Sequence, residues 1–271
     1  LKNNNVFLLN TREGMKLSKL FLPGLCGLAQ ILPAAILRAK GFKVVGMQPM
    51  DLPSNWISLH PGLKQKVVDS IFSRCKKISE RFANKILTGK RHYKALLSLP
   101  FDLAVLPISV GYYFIGRYAI AKTFIATKDC TNCGKCIEQC PLNAIINKAN
   151  RPFWTYRCES CMKCMNNCPE RAIETAHGYS AIVWYFALAI IAPFIMFEFM
   201  VINLFDFGSF STIKGIINTL LEWIIFLFIV FIGYEILHSI LKNNLINKII
   251  KYTSLTSYKF WRRYKAPKGF R

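Results

Sequence analysis

Acidic residues are scarce in this chain. Of its 271 residues, 14 are aspartate or glutamate and 36 are lysine or arginine, which gives a formal net charge of +22 at pH 7. Such a surface cannot neutralise itself, so the balance favours an anionic partner, either nucleic acid or anionic lipid. The basic excess lies mainly in residues 1–100 and 242–271, on either side of long apolar runs.

A secretory signal is also missing. No stretch near Leu1 has the charged start and apolar core of a signal peptide, so the sequence gives no argument for export. The ten cysteines are mostly spaced in a regular pattern that is atypical of the disulfide frameworks of short secreted chains. This leaves metal binding or catalysis as the use of the regularly spaced cysteines. Because the first residue is Leu1 rather than Met, we also expect the sequence to be a fragment.

Eight of the cysteines form two copies of one motif. The motif C-x2-C-x2-C-x3-C-P begins at Cys130 and again at Cys158, an offset of 28 residues, which indicates an internal duplication. Three thiolates two residues apart can wrap one face of a cubic iron–sulfur cluster, and N–H groups of the tight loop help to hold its negative charge. Zinc is the alternative, but zinc usually takes two separated C-x2-C pairs.

This double motif resembles that of the bacterial-type two-cluster ferredoxins, an α+β fold, over residues 122–178. In that family the fourth cysteine of each motif ligates the other cluster. The resemblance implies two [4Fe–4S] clusters with crossed ligands. The first set would be Cys130, Cys133, Cys136 and Cys168, and the second set would be Cys158, Cys161, Cys164 and Cys140.

Residues 1–95 have the pattern of an α/β domain. Residues 6–10 and 43–50 are typical of buried strands, residues 23–39 of a helix that a proline opens, and residues 51–56 of a turn. The order strand, helix, strand favours a parallel sheet.

The stretches "VFLLNTREGM" and "GFKVVGMQPMDLPSNWISLHPG", followed by the cysteine repeat, make the chain similar to the flavodoxin–ferredoxin fusion family. The resemblance implies that residues 1–95 are the C-terminal part of a flavodoxin-like domain, and that the intact protein holds FMN. The Ser/Thr-Gly-rich loop that cradles the FMN phosphate in flavodoxins is absent from this chain, so we do not expect it to bind FMN tightly alone. A polar loop at the carboxyl end of a strand would still touch the flavin, with an ordinary polar turn as the alternative. That loop comprises Asn10, Thr11, Arg12, Glu13 and Gly14.

Two further segments precede the cysteine repeat. Residues 63–88 predict a basic amphipathic helix, packed on the sheet with a solvated charged face; contact with an anionic membrane is the alternative. Residues 96–121 predict an apolar linker helix rather than a third membrane span, because Arg117 would lie near mid-span. Cys26 and Cys75 are expected to be small packed residues rather than ligands.

Residues 179–241 predict two transmembrane helices. Residues 181–205 begin with seventeen uncharged residues, and residues 216–241 contain "WIIFLFIVFIGY". Each run is near the ~20 residues that cross a bilayer. The loop 206–215 has one lysine, whereas the basic tail 242–271 has nine lysines and arginines and no acid. The positive-inside rule therefore places both termini and the ferredoxin domain in the cytoplasm.

Polar residues in or beside these spans have two interpretations. Glu198, Glu222, Glu235 and His238 are expected to lie at the interfaces, with a functional intramembrane site as the alternative. The tail "YKFWRRYKAPKGFR" is expected to bind anionic lipid headgroups, and not nucleic acid, because it follows a membrane span directly.

Taken together, these features predict a multi-pass protein of the cytoplasmic membrane that relays single electrons through two [4Fe–4S] clusters to a redox partner protein, coupled to FMN in the intact protein. The alternative is a non-enzymatic iron–sulfur subunit of a larger membrane redox complex. The sequence assigns neither a substrate nor a catalytic residue.

Overall fold

The computed structural model describes residues 4–191, 194 and 211–267. The chain divides into two units: Leu1–Tyr113 with Arg262–Arg271, and Phe114–Trp261. The division falls inside residues 96–121, the segment predicted to be a linker.

A three-stranded sheet in the order β2-β1-β3 forms the first unit. Strand β1 (Asn5–Leu17) is parallel to β3 (Lys43–Pro53) and antiparallel to β2 (Leu20–Leu22). The polar loop and the turn predicted over residues 11–14 and 51–53 are therefore wrong. These stretches are strand because each supplies the backbone partners of the other, as far as the pair Gly14 and Pro53.

Helix α1 (Leu28–Ala39) begins later than predicted. The backbone N–H groups that precede it are hydrogen-bonded to carboxylates rather than to the carbonyls of a helix. Gly24 N donates to Asp51 Oδ1 at 3.1 Å, and Gly27 N donates to Asp102 Oδ1 at 3.2 Å. Gly27 has a φ of 51°, in the left-handed region where glycine is not strained.

Helix α2 (Gln65–Leu87) is amphipathic, as predicted, and packs on β3 around Met50. Its lysines at 66, 76 and 77 are exposed, which favours packing on the sheet with a solvated charged face. The prediction that Cys75 is a packed thiol is confirmed, since it is 5% exposed. The buried positions of the helix are Val68, Ile71, Cys75, Ile78 and Phe82.

The single linker helix predicted over residues 96–121 is replaced by short segments. A 3-10 turn (Lys94–Ser98) leads into α3 (Leu99–Ala104) and α4 (Leu106–Gly111), and a π turn (Tyr112–Gly116) leads into α5 (Arg117–Ala121). The parts before and after residue 105 are bent by 78°. Prolines begin both α3 and α4, and proline cannot donate the N–H that a continuous helix needs.

Two small antiparallel pairs build the cysteine-rich part of the second unit. Strand β4 (Phe124–Ala126) pairs with β7 (Ile173–Thr175), and β5 (Ile145–Lys148) pairs with β6 (Arg151–Trp154). One helical turn follows each cysteine loop: α6 (Lys135–Glu138) and α7 (Lys163–Asn166).

The two predicted membrane helices are described in part. Helix α8 (His177–Phe186) continues as a π turn (Ala187–Ile191), and most of the first predicted span beyond it, with Glu198, lies outside the described residues. Helix α9 (Ser211–Ile240) covers the second predicted span. Within the described part of the chain, Gly215–Ile240 is the one unbroken helix long and apolar enough to cross a membrane; the bent segments on either side of residue 105 qualify only if they are counted as one span.

The C-terminal tail is folded rather than free-standing. Asn243 caps helix α10 (Asn244–Tyr252) by accepting a hydrogen bond from Leu245 N at 2.8 Å. Two 3-10 turns follow, Leu255–Ser257 and Lys259–Trp261. The tail thus contributes structure to the second unit up to residue 261, and its last described residues belong to the first unit.

Candidate metal centre

The duplication seen in the sequence is repeated in the backbone. Each cysteine loop uses residues with left-handed φ at positions related by the same offset of 28 residues. Left-handed conformations let a short loop turn its N–H groups inward, toward a negatively charged group. The three related pairs are Asn132 and Ser160, Gly134 and Met162, and Asn143 and Arg171.

Each repeat is hydrogen-bonded to the end of the other. Thr127 N donates to Ala172 O at 2.8 Å, and at the equivalent position Thr155 N donates to Ala144 O at 2.9 Å. The first bond joins the start of the first cysteine loop to the segment that follows Cys168. The second joins the start of the second loop to the segment that follows Cys140. Each bond therefore ties the start of one cysteine loop to the segment after the fourth cysteine of the other repeat, which favours the predicted crossed ligand sets.

The four cysteines of the first set lie around one cavity. Cys130, Cys133 and Cys136 line it together with Cys168 from the other repeat, and its empty volume is about 400 Å³. Cys133 is exposed whereas Cys130, Cys136 and Cys168 are half-buried, so this site has one edge open to solvent.

The second set is more deeply buried. Burial raises the pKa of Cys158 to about 11, and the neighbouring thiols of Cys161 and Cys140 raise it in the same direction. Burial likewise raises the pKa of Cys164 to about 12. The influence of Cys140 on Cys158 indicates that the fourth cysteine of the first repeat faces the second loop.

Hydrogen-bond donors surround both sites. Ala144 N donates to Cys140 Sγ at 3.4 Å, and Ala172 N donates to Cys168 Sγ at 3.3 Å. Backbone N–H groups directed at sulfur stabilise the negative charge of a thiolate-ligated cluster. The donors therefore suit iron–sulfur clusters.

A buried indole provides a further sign of a cluster at the second set. Trp154 is fully buried, and its Nε1 has no hydrogen-bond acceptor within the described part of the chain. It nevertheless lies close enough to Cys164 to favour the thiolate form of that sulfur. A cluster sulfide or thiolate at this place would supply the acceptor that the indole N–H lacks.

The thiols need a metal to ionise. With pKa values of about 11 to 12, Cys136, Cys158 and Cys164 are protonated at neutral pH, and metal binding must release those protons. Among the described residues, no three His, Cys, Asp or Glu side chains converge to hold a single ion. A cubane cluster does not require that convergence, because its irons lie between its ligands.

Three of the five residues predicted to touch flavin reach a common cleft. Thr11, Arg12 and Glu13 line an open cleft with an empty volume of about 1060 Å³, close to where the parallel pairing of β1 and β3 ends at Gly14 and Pro53. The other two serve packing: Asn10 Nδ2 donates to Ala29 O at 2.6 Å, and a Cβ at Gly14 would approach the Asp51 side chain to 2.6 Å. The cleft is also lined by Ser54, Asn55, Trp56 and Tyr264.

Charged residues of the cleft are engaged with one another. Arg12 Nε donates to the carboxylate of buried Asp51 at 2.5 Å. Glu13 lies 3.3 Å from His60, and their hydrogen bond lowers the pKa of Glu13 and raises that of His60. The polar side chains are therefore held in place before any ligand binds.

Of the acids predicted at the membrane interfaces, Glu235 pairs with Lys148 at 2.6 Å. His238 is buried, and its ring lies 5.0 Å from that of Phe153. The second unit therefore covers the end of helix α9 that carries these residues.

Sequence reasoning missed Lys122, Trp154 and Tyr234. Lys122 Nζ donates to Trp154 O, and Trp154 N donates to Tyr234 Oη at 3.2 Å. Burial lowers the pKa of Lys122 to about 8. A lysine inside the apolar stretch "YAIAKTFIA" is the one signal that the sequence offers for it.

Comparison with protein families identifies the cysteine-rich segment. Residues 129–173 match the family model described as a 4Fe-4S dicluster domain. No curated protein and no solved structure matches the chain. The match covers the double motif and the exchanged repeats, so this segment is a ferredoxin-type iron–sulfur domain of a kind that serves electron transfer.

Proposed function

We propose that this chain is a membrane-anchored electron carrier in which two [4Fe–4S] clusters, held by the first and second cysteine sets, pass single electrons to a redox partner protein. The observation that carries the proposal is the presence of Cys168, from the second repeat, in the cavity lined by the three cysteines of the first loop. When bound, such clusters accept and donate one electron each.

The protein's own residues give the two sites different access. The first set has its exposed edge at Cys133, which suits exchange with a soluble partner at the surface. The second set also has an exposed cysteine, Cys161, but Cys158 and Cys164 are buried. The buried side chains of Trp154, Met162 and Met165 belong to the same part of the chain, so less of this site is open to water. Both loops supply N–H groups to sulfur, so the chain contributes ligation and tuning of the reduction potential.

The membrane part of the proposal rests on helix α9. Large apolar side chains stand exposed at every fourth position along it, and such a continuous stripe is unusual for a surface that faces water. Near the C-terminal end of helix α9, its other face packs on the rest of the second unit. There, Tyr234 Oη donates to Phe124 O at 3.3 Å. The stripe consists of Ile216, Leu220, Ile224, Phe228, Ile232 and Ile236.

A flavin is the proposed electron source in the intact protein. Ligands of open α/β sheets bind at the carboxyl ends of the strands, where the cleft of the first unit lies. Trp56 and Tyr264 give this cleft the aromatic surface that a planar ring needs. The residues present suit the ring but not a phosphate, because this chain has no phosphate-binding loop. Flavin would convert two-electron steps into the one-electron steps of the clusters.

A second candidate is a non-enzymatic iron–sulfur subunit of a larger membrane complex. The exposed apolar stripe of α9 could equally pack on the helices of other subunits. This candidate requires a stoichiometric partner that co-purifies with the chain in mild detergent, whereas the carrier is isolated alone.

The test is the metal and flavin content of the chain purified anaerobically in detergent. We expect about eight irons and eight acid-labile sulfides per chain, two cubanes; zinc in their place would overturn the assignment. The same protein is titrated with lumiflavin, which lacks the phosphate. We expect lumiflavin and FMN to bind with similar affinity, and Trp56→Ala to weaken both. Binding unaffected by Trp56→Ala would contradict the flavin part alone.

A further inference from the structure

Lys122 is a buried cation without a carboxylate partner. The residue is 6% exposed, and its Nζ donates to Trp154 O. Glu235, the acid whose charge acts on it, forms its ion pair with Lys148 instead. Within the described ranges, Lys122 takes part in no ion pair. A buried charge left unpaired is costly, so a counter-charge is expected nearby.

Aromatic rings surround the ammonium group but cannot fully replace a counter-charge. The Nζ atom lies 4.6 Å from the ring centre of Tyr234, 5.1 Å from that of Phe231 and 5.3 Å from that of Phe153. Each ring attracts a cation through its face. A cage of this kind fixes the position of the ammonium group and keeps water from screening its charge.

The negative group that faces this cage is the second cysteine set. Among the neighbouring charges that favour the ammonium form of Lys122, a thiolate at Cys158 has the largest effect. Trp154 connects the two sites, since its carbonyl accepts from Lys122 and its indole lies beside Cys164. A [4Fe–4S] cluster with four thiolates has a net negative charge, which grows when it accepts an electron.

We propose that Lys122 is the counter-ion of the second cluster and holds the reduction potential of that cluster above the potential of the first. The inference rests on the proposed function, because it requires a cluster at Cys158, Cys161, Cys164 and Cys140. A fixed cation stabilises the reduced cluster more than the oxidised one, since the reduced cluster carries more negative charge. No proton has to move with the electron.

The duplication explains why the effect is larger at the second cluster. The two repeats are related by an offset of 28 residues. By this offset, Asn150 corresponds to Lys122, and Ala126 corresponds to Trp154. Asn150 is neutral and exposed. The carbonyl of Ala126, which corresponds to that of Trp154, accepts instead from Arg151 Nη1 at 2.7 Å. Arg151 is half-buried whereas Lys122 is buried, so water screens the charge of Arg151 more strongly than that of Lys122. The potential of the second cluster is therefore raised more, and electrons run from the first cluster to the second, which lies beside helix α9.

The experiment is an EPR-monitored redox titration of the full chain in detergent, with the variants Lys122→Gln and Lys122→Arg. The two signals are assigned with Cys140→Ser and Cys168→Ser. In Lys122→Gln we expect the reduction equilibrium constant of the second cluster to fall at least tenfold, which is about 59 mV for a one-electron couple. The first cluster should be unchanged, and Lys122→Arg should keep the potential of the parent protein.

Lys148→Gln is the matched control, because it removes the same charge from a side chain that is 46% exposed and therefore screened. An unchanged potential in Lys122→Gln, an equal shift of both clusters, or a shift no larger than that of the control would overturn the proposal. If Lys122→Gln fails to retain the second cluster, Lys122→Met replaces it. Loss of that cluster in both neutral variants but not in Lys122→Arg supports the proposal, and loss in all three overturns it.

Iron and sulfide content separates this inference from the proposed function. Two clusters in the parent protein together with an unchanged potential in Lys122→Gln would refute the counter-ion and leave the electron carrier intact. An absence of clusters in the parent protein would refute both.

Discussion

Cys140 and Cys168 are the residues that make two sites out of two loops. Each follows a loop that already holds three cysteines, and each is fixed by an N–H group four residues further along the chain, at Ala144 or Ala172. The exchanged bonds from Thr127 and Thr155 carry each fourth cysteine to the opposite loop. With the proposed ligand sets, a single residue would couple the ligation of one cluster to the fold of the other repeat.

Replacing Cys140 with Ser should disturb the second cluster and spare the first. The cluster held by Cys158, Cys161 and Cys164 loses its fourth thiolate, so we expect one of the two EPR signals to disappear or change, and up to half of the iron to be lost. Cys168→Ser is the matched control and should affect the other signal. If Cys140→Ser instead removes the signal that Cys136→Ser removes, the crossed ligation is wrong.

Arg12 shows how a residue can keep its place in a predicted site but change its role. The sequence suggests a loop residue available to a ligand. In the fold its guanidinium is held by Asp51, and its Nη1 donates to Ser98 Oγ at 3.1 Å. The charge of Arg12 is thus largely neutralised by Asp51. A ligand in the cleft would contact a guanidinium that is already paired and held in place.

At the scale of elements, helix α10 and the 3-10 turn that follows it are each hydrogen-bonded to one end of the iron–sulfur domain. Lys128 N, just before Cys130, donates to Asn247 Oδ1 at 3.2 Å. Thr175 N, in β7, donates to Thr256 Oγ1 at 3.0 Å. Asn247 and Thr256 are each 1% exposed, so these bonds are shielded from water.

Removal of the Asn247 side chain should loosen the first cluster. Asn247→Ala leaves the partly buried N–H of Lys128 without its acceptor, which costs at most about 1–3 kcal/mol, the penalty of a fully buried group. We expect the first cluster to be lost to an iron chelator several-fold faster, with a smaller effect on the second. The measurement is the decay of each EPR signal under anaerobic chelation.

Asn244→Ala is the control for this prediction, since Asn244 is exposed on the same helix. Equal decay rates in Asn247→Ala and Asn244→Ala would show that the tail does not support the cluster.

At the scale of the whole molecule, the charge distribution and the apolar surface favour the same orientation of the chain in a membrane. The domain that carries the clusters covers the end of helix α9 that precedes the basic tail, and the tail packs on that same domain. The excess of lysine and arginine after the span favours the cytoplasmic side. Both clusters would then lie at the cytoplasmic face of the membrane.

A reporter fused after Arg271 should therefore be active only if it functions in the cytoplasm. The same reporter inserted within residues 206–210 should give the opposite result, because these residues lie between the two predicted spans. The measurement is a pair of complementary reporter activities in whole cells. Cytoplasmic activity at both positions would mean that residues 216–241 do not cross the membrane.

The sequence was most informative where chemistry requires a fixed spacing. Cysteine spacing predicted the iron–sulfur domain, because three ligands of a cubane must come from one tight loop and a duplication preserves that loop. It was less informative where backbone partners decide structure. Residues 11–14 look like a turn, yet they form strand because β3 is long enough to pair with them.

The sequence by itself determined the number of cysteine sets, the apolar character of helix α9 and the basic charge that follows it. Only the tertiary structure decided that the tail folds onto the iron–sulfur domain, that the linker bends, and that Lys122 sits in a cage of rings beside the second cysteine set. The reason is that spacing and composition are properties of neighbours along the chain. The environment of a buried charge is set by residues far apart in sequence, here Lys122, Trp154 and Tyr234.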